Sequence, residues 1–241
     1  MQTMYAGVAD AAETLQLPPP DHWVMPNIRW GELDALFTPA FWKAQAWQAS
    51  RLGRYRDLRL GRTLVEETAA CLLGGFGMRA ELGLAAYRRL RDAGMLRRTT
   101  PLSAIEACLS EPFELDGRPC RYRFPRQRAR YLHGCLAALE DLPEPTDDVE
   151  LRDLLAGLVG IGPKTASWIV RNTRASDRVA VLDVHIVRAG RMIGLFGERD
   201  TPDRSYRCME ARFLDFSAAI ETPAPLLDAM MWQYMRALSR A

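Results

Sequence analysis

The sequence predicts an all-α fold, and three observations carry the prediction. Apolar residues recur at three- and four-residue spacing in most segments between residues 38 and 240, the period of a helix with one buried face. Proline follows threonine at segment starts such as "TPAFWK" and "TPAPLL", and glycine closes several segment ends, the asymmetry that helix termini favour. Alternation of apolar and polar residues is nearly absent. "RVAVLDVHIV" at 178–187 is the one β-branched run, and it reads as a short strand or as a loop entering a helix.

The elements follow in order. "GELDALF" leads into "TPAFWKAQAWQASRL", where Thr38 suits an N-cap and Pro39 the first helical position. "GRTLVEETAACLLGG" keeps helical spacing and stops at paired glycines. "MRAELGLAAYRRLRDAG" repeats the pattern and ends at Gly94. "PLSAIEACLS" and "RQRARYLHGCLAALEDL" are the next two helices, and "PEPTDD" is a polar, proline-rich connection. "DDVELRDLLAGLV" is a further helix and "TPAPLLDAMMWQYMRALSR" the last. No repeat of 20–50 residues is visible.

Composition narrows the class. With 241 residues and 48% hydrophobic content, the chain can bury a core, which excludes disordered and collagen-like proteins. It holds no apolar run of about 18 residues, and its first residues have no basic start followed by an apolar stretch, so neither membrane span nor signal peptide is expected. The five cysteines, Cys71, Cys108, Cys120, Cys135 and Cys208, are widely spaced and form no C-x-x-C pair. An iron–sulfur cluster or zinc site is therefore not expected; reduced thiols in a cytoplasmic protein are.

Charge is informative through its placement. The net charge is only +2, yet "RPCRYRFPRQRARY" (118–131) carries six arginines, interleaved aromatics and no acid. That is either a solvated helix face or a footprint for phosphates. Of 32 basic side chains only Lys43 and Lys164 are lysines. Lys164 stands in "LLAGLVGIGPKTASWIVRN", where an apolar helix ends at G-x-G and a new helix begins near Pro163. Gly160 and Gly162 permit a tight turn and a close backbone approach. The start of the new helix offers N–H groups and positive potential to an anion. The spacing is not that of a nucleotide P-loop. A lysine can lose its proton in a protein and an arginine cannot, so this position suits a nucleophile. Downstream by 183 − 164 = 19 residues, Asp183 sits inside an apolar run, where a carboxylate caps a helix or faces a cation.

Lys164, Asp183 and His185 match the pattern G-[IV]-G-x-K-x-A followed by D-V-H. On these residues the chain resembles the helix-hairpin-helix DNA glycosylase superfamily, and within it the 8-oxoguanine DNA glycosylases. "RARYL" (128–132) is similar to the segment with which these enzymes hold the base opposite the lesion. "TAACLLGGFGMRAELGLAAYRRL" resembles their helix–loop–helix whose loop enters the minor groove. There the family often has asparagines and this chain has Gly-Phe-Gly-Met. The resemblance covers roughly residues 62–236 and implies two helical subdomains flanking a DNA-binding cleft. The expected division is an N-terminal helical segment, 1–61, packing with the C-terminal part; a helical barrel subdomain, 62–155; and 156–241, with the hairpin, the aspartate segment and a base-pocket helix. No resemblance is identified over roughly the first 60 residues, which are expected to lack the β-rich start of its eukaryotic members.

The resemblance implies roles as well. Lys164 attacks the sugar C1′ and Asp183 stabilises the cationic transition state; base release then leaves a Schiff base from which the strand is nicked. Gly160, Gly162 and His185 are expected at backbone phosphates, Arg126, Gln127 and Arg128 on the opposite strand, and Phe76, Gly77 and Met78 in the gap left by the flipped nucleotide. Asp228 and Trp232, one helical turn apart, are expected with Trp168 at the base, Asp228 accepting from N1–H and N2–H₂ of a guanine. Backbone carbonyls of Ala156, Leu158 and Ile161 are expected to hold a K⁺ or Na⁺ ion; catalysis needs no cofactor. The expected partner is double-stranded DNA containing a damaged base, met by a cytoplasmic, nucleoid-associated monomer. Two other readings stay open: a glycosylase for another modified base, including one on foreign DNA, and a non-catalytic hairpin protein that only grips DNA.

Overall fold

The computed structural model describes residues 1–6, 13–75 and 77–238. Its elements in chain order are β1 (Gln2–Ala6), β2 (Glu13–Leu17), β3 (Trp23–Met25), β4 (Ile28–Arg29), α1 (Pro39–Arg51), α2 (Leu64–Leu73), α3 (Ala80–Asp92), α4 (Leu102–Ser110), β5 (Phe113–Leu115), β6 (Arg118–Cys120), α5 (Pro125–Leu139), α6 (Asp148–Ala156), α7 (Pro163–Arg174), α8 (Val184–Ile193), α9 (Pro202–Ala219) and α10 (Ala224–Leu238). The all-α expectation holds: the strands form only three two-stranded antiparallel pairs, β1 with β2, β3 with β4 and β5 with β6. No helix among the described residues is long and apolar enough to cross a membrane.

The chain divides into two compact units, Met1–Asp57 with Ser176–Ala241, and Leu58–Ala175. These limits differ from the expected ones at 61/62 and 155/156. The reason is that α7 packs on both α6 and α2, so the hairpin stays with the helices before it. The N-terminal segment also differs from a helical reading, since only α1 is helical and β1 to β4 precede it. "PPPDHWVMPN" holds too many prolines for a helix, and two short pairings satisfy the backbone instead.

In the first unit Thr38 caps α1 through its side chain, as its sequence position suggested, and Pro39 follows at the first helical position. Trp42 is fully buried in a core that also holds Leu17, Ile28, Met209, Phe213, Phe216, Met230, Met231 and Met235. The sequence reading passed over α9. Its buried Tyr206, Met209, Phe213 and Phe216 keep helical spacing, but many charged residues separate them.

The second unit contains α2 to α7, β5 and β6. Leu72, Leu73, Leu90, Ile105, Leu109, Leu132 and Leu151 fill its interior. Thr63 caps α2 by accepting from the Glu66 N–H. The β5–β6 hairpin splits the basic run, so Arg118 lies on a strand and Arg126 on a helix. Asp116 and Gly117 make its turn with φ of 53° and 71°, the geometry a two-residue hairpin loop needs. The Asp-Gly pair in the sequence was the available signal.

Candidate active site

The hairpin turn of the second unit is built on α5. Gly160 has φ 79°, and a Cβ there would collide with the ring of Tyr131. The Val159 side chain fills the space above Gly134, 2.6 Å from where a Cβ would stand. The Cys135 thiol donates to the Val159 carbonyl at 3.4 Å. The Ile161 N–H donates to the Leu158 carbonyl at 3.1 Å. Gly162 serves as N-cap of α7, and among the described residues no side chain caps that end. No heavy atom lies within 4 Å of a Cβ built on Gly162. The start of α7 therefore faces open space with its dipole and backbone N–H groups.

Lys164 occupies the first turn of α7, half-buried. Its Nζ stands 5.5 Å from the centre of the Trp168 ring, one turn further on. A network with no exposed member fixes the far end of this helix. Glu67, fully buried on α2, accepts from Leu60 N–H and Gly61 N–H at 2.8 Å each and from Asn172 Nδ2 at 2.6 Å. Arg171 Nε donates to Asn172 Oδ1 at 2.9 Å. Burial first, and then the Glu67 carboxylate, push the Cys71 thiol well above its ordinary value. The turn and its helix are thus held from behind, which leaves Lys164 on a rigid support.

In the first unit Asp183 is the N-cap of α8. Its Oδ1 accepts from the N–H groups of His185 and Ile186 at 2.9 and 3.0 Å, so the cap leaves Oδ2 to other partners. Residues 180–183 run as an irregular segment whose backbone is satisfied by side chains. Ala180 donates to Glu210 at 3.0 Å and accepts from the Tyr206 hydroxyl at 2.7 Å. Val181 N–H donates to Asp228 Oδ2 at 3.3 Å. That settles the β-branched run as a loop entering a helix. Asp228 is only 1% exposed. Trp232, on the same face of α10, meets His185 edge-on at 6.1 Å between ring centres and carries the Arg236 guanidinium 4.9 Å over its ring.

The remaining sequence candidates lie in the second unit. Phe76 is outside the described residues. Gly77 has φ 72° and is exposed, and Met78 donates its N–H to the Gly75 carbonyl at 3.2 Å. Arg128 is 9% exposed, with its guanidinium 3.5 Å from where a Cβ on Gly75 would stand, so it lies under the loop. Arg126 points elsewhere, to Glu106 at 2.9 Å, and Gln127 donates to the Tyr131 hydroxyl at 3.1 Å. Sequence reasoning passed over Arg123. Its guanidinium stacks 4.9 Å over Phe124 and comes within 3.4 Å of a Cβ built on Gly77. The basic run contained the signal, but only the fold chooses among its arginines.

A mostly helical chain whose α6 and α7 are joined by a glycine-built turn is a helix-hairpin-helix protein. The chain belongs to the 8-oxoguanine DNA glycosylase family, whose model matches residues 50–222. An 8-oxoguanine DNA glycosylase/AP lyase of Metallosphaera sedula is 30% identical over 117 residues, 46% of this chain. That match spans 57% of the relative, a little over half its length. The fold is similar to the 8-oxoguanine DNA glycosylase of Thermotoga maritima, with TM-score 0.60 and 24% identity over 80% of this chain and 92% of that one. It is also similar to the Methanocaldococcus jannaschii 8-oxoguanine DNA glycosylase, with TM-score 0.55 and 25% identity over 72% of this chain and 77% of that one.

Proposed function

We propose that this protein is a bifunctional DNA glycosylase/AP lyase that excises an oxidised guanine, 8-oxoguanine, from double-stranded DNA. One observation carries the reading: a lysine, in a chain with only two, stands in the first turn of the hairpin's second helix in a member of this family. A hairpin that only grips DNA needs phosphate contacts there and no nucleophile.

The chemistry follows from the residues. The target nucleotide leaves the stack at a cost of a few kcal/mol, offset by arginine–phosphate contacts and by the loop at residues 75–78. Neutral Lys164 attacks C1′ through Nζ, the bond from C1′ to the base breaks, and the base leaves with the bonding pair and takes up a proton. Asp183 Oδ2 offers a negative charge to the cationic sugar while Oδ1 keeps its cap. The sugar ring opens as the amine becomes a Schiff base. Loss of a 2′ proton then expels the 3′ phosphate and nicks the strand. Trp232 supplies a flat face for the flipped ring, and Asp228, on the same face of α10, supplies the acceptor that guanine's adjacent N1–H and N2–H₂ require. Asp228's burial keeps water from competing for those bonds.

The carbonyls of Ala156, Leu158 and Ile161 suit a K⁺ or Na⁺ ion. They are all oxygen donors at or just beyond the carbonyl end of α6, where the helix dipole favours a cation. An ion held by these carbonyls would add positive charge at the turn, where a DNA phosphate is expected. We take the protein as a monomer acting in the cytoplasm.

Borohydride added during reaction with an 8-oxoguanine duplex reduces a Schiff base to a stable amine. Wild type should form a covalent protein–DNA adduct and Lys164→Gln none. An adduct that persists in the variant sinks the assignment.

A further inference from the structure

The second of the two lysines, Lys43, lies on α1, almost wholly outside the residues that match the family. Its Nζ donates to the carbonyl of Glu221 at 2.6 Å. Glu221 has φ 48°, a left-handed conformation that a non-glycine residue adopts only when its surroundings hold it. It sits in the turn between α9 and α10. The rest of that turn is pinned as well. Thr222 N–H donates to the Ser217 carbonyl at 2.9 Å, and the Ser217 hydroxyl donates to the Thr222 carbonyl. Ala224 N–H, at the start of α10, donates to Asp177 Oδ1 at 2.8 Å.

The same helix grips α10 again near its other end. Phe41 and Trp42 both meet the Tyr234 ring edge-on at 5.8 Å between centres, and the Tyr234 hydroxyl donates to Gln45. Asp228 and Trp232 lie between the two grips. A lysine suits the first one. A lone carbonyl is a point acceptor, and a compact ammonium reaches it where a planar guanidinium would present a fork with no matching partner. Burial lowers the Lys43 pKa, with the Glu221 charge opposing that shift. The ammonium is therefore kept in a costly place for the bond it makes.

We propose that Lys43 is a positioning residue for the base pocket: by holding Glu221 it sets the start of α10, and with it where Asp228 and Trp232 stand. The proposal rests on the reading of α10 as the base-pocket helix. Excision needs the flipped base seated there. Nicking at a pre-formed abasic site has no base to seat and needs only Lys164 and the strand. A positioning role therefore moves one activity and not the other.

The test uses the full-length chain and two duplexes, one with 8-oxoguanine and one with an abasic site, in single-turnover assays. Lys43→Met should slow excision about tenfold, as small misplacements of a reacting group do, with nicking of the abasic duplex within about twofold of wild type. Tyr234→Phe removes only the hydroxyl bond to Gln45 and should lower the excision-to-nicking ratio in the same direction by less; it carries the test alone if Lys43→Met does not fold. A ratio unchanged in the foldable variants, whether both rates hold or both fall together, overturns the proposal. Wild type that excises no 8-oxoguanine refutes the functional reading instead. Wild type that excises normally while Trp232→Ala does too refutes the pocket assignment. In either case the role of Lys43 falls with it.

Discussion

Asp183 combines a cap and a charge in one side chain. Its Oδ1 takes two backbone N–H groups of α8, and the catalytic role proposed for it belongs to Oδ2. Two substitutions separate these duties. Asparagine caps a helix as well as aspartate, so Asp183→Asn should change stability by only a few tenths of a kcal/mol. It removes the charge, so single-turnover excision should fall by about 10²–10³-fold, with DNA affinity retained. Asp183→Ala should lose the same rate and about 1 kcal/mol of stability besides. Chemical denaturation beside excision kinetics reads both, and unchanged turnover in the asparagine variant removes Asp183 from the chemistry. Arg126 and Arg128 sit in different surroundings. Arg126 is largely exposed and pairs with Glu106 at 2.9 Å, a surface ion pair that a phosphate can replace. Sequence alone left Arg126 and Arg128 equivalent; packing made one a surface ion pair and the other a buried support of the loop.

At the scale of the element, the hairpin turn uses its two glycines for different reasons. Gly160 has φ 79° and faces the Tyr131 ring. Gly162 has ordinary φ of −93° and nothing within 4 Å of its Cβ position. Gly160→Ala should therefore destabilise the protein by about 2 kcal/mol or more, from the left-handed backbone and the ring contact together. Gly162→Ala should leave the unfolding midpoint near wild type and weaken DNA binding, because its methyl would occupy the space proposed for a phosphate at the start of α7. Equal unfolding losses in the two variants would show that the turn's demand is purely internal. The G-x-G spelling was legible in the sequence. That Gly160 answers to the Tyr131 ring was not, because Tyr131 is remote in sequence.

Across the whole molecule a net charge of +2 hides a concentration of arginines in one stretch. Binding to an undamaged duplex should fall steeply with salt, the slope of log affinity against log salt reporting how many phosphates are met. Removing Arg128 should weaken binding to a lesion duplex more than to an intact one; equal losses would make it one more phosphate contact. Alkaline pH is a second whole-molecule test. Burial raises the Cys135 thiol from 9.0 to about 12, so between those values the folded state holds a proton that the unfolded chain releases. Its contribution to stability is complete below pH 9 and is lost as pH rises towards 12, at up to about 1.4 kcal/mol per pH unit. Denaturant unfolding at pH 8 and pH 10 should show the decline, shallower in Cys135→Ala.

The sequence by itself determined the helical class and eight of the ten helices among the described residues, left α8 open, and singled out candidate residues for the chemistry. Periodicity, caps and a rare lysine are local facts, written within a turn or two of chain. It did not determine the N-terminal strand pairs, the β5–β6 hairpin or α9, where prolines, a two-residue turn and interspersed charges weaken the local pattern. Nor could it show that Asp228 lies buried against Val181, 47 residues away, or that Lys43 reaches Glu221 across 178. Those pairings depend on which helix faces pack together, and apolar spacing says that a face is buried without saying against what. Tertiary structure therefore decided the supports: what holds the lysine's helix, what caps with Asp183, and what sets the start of α10.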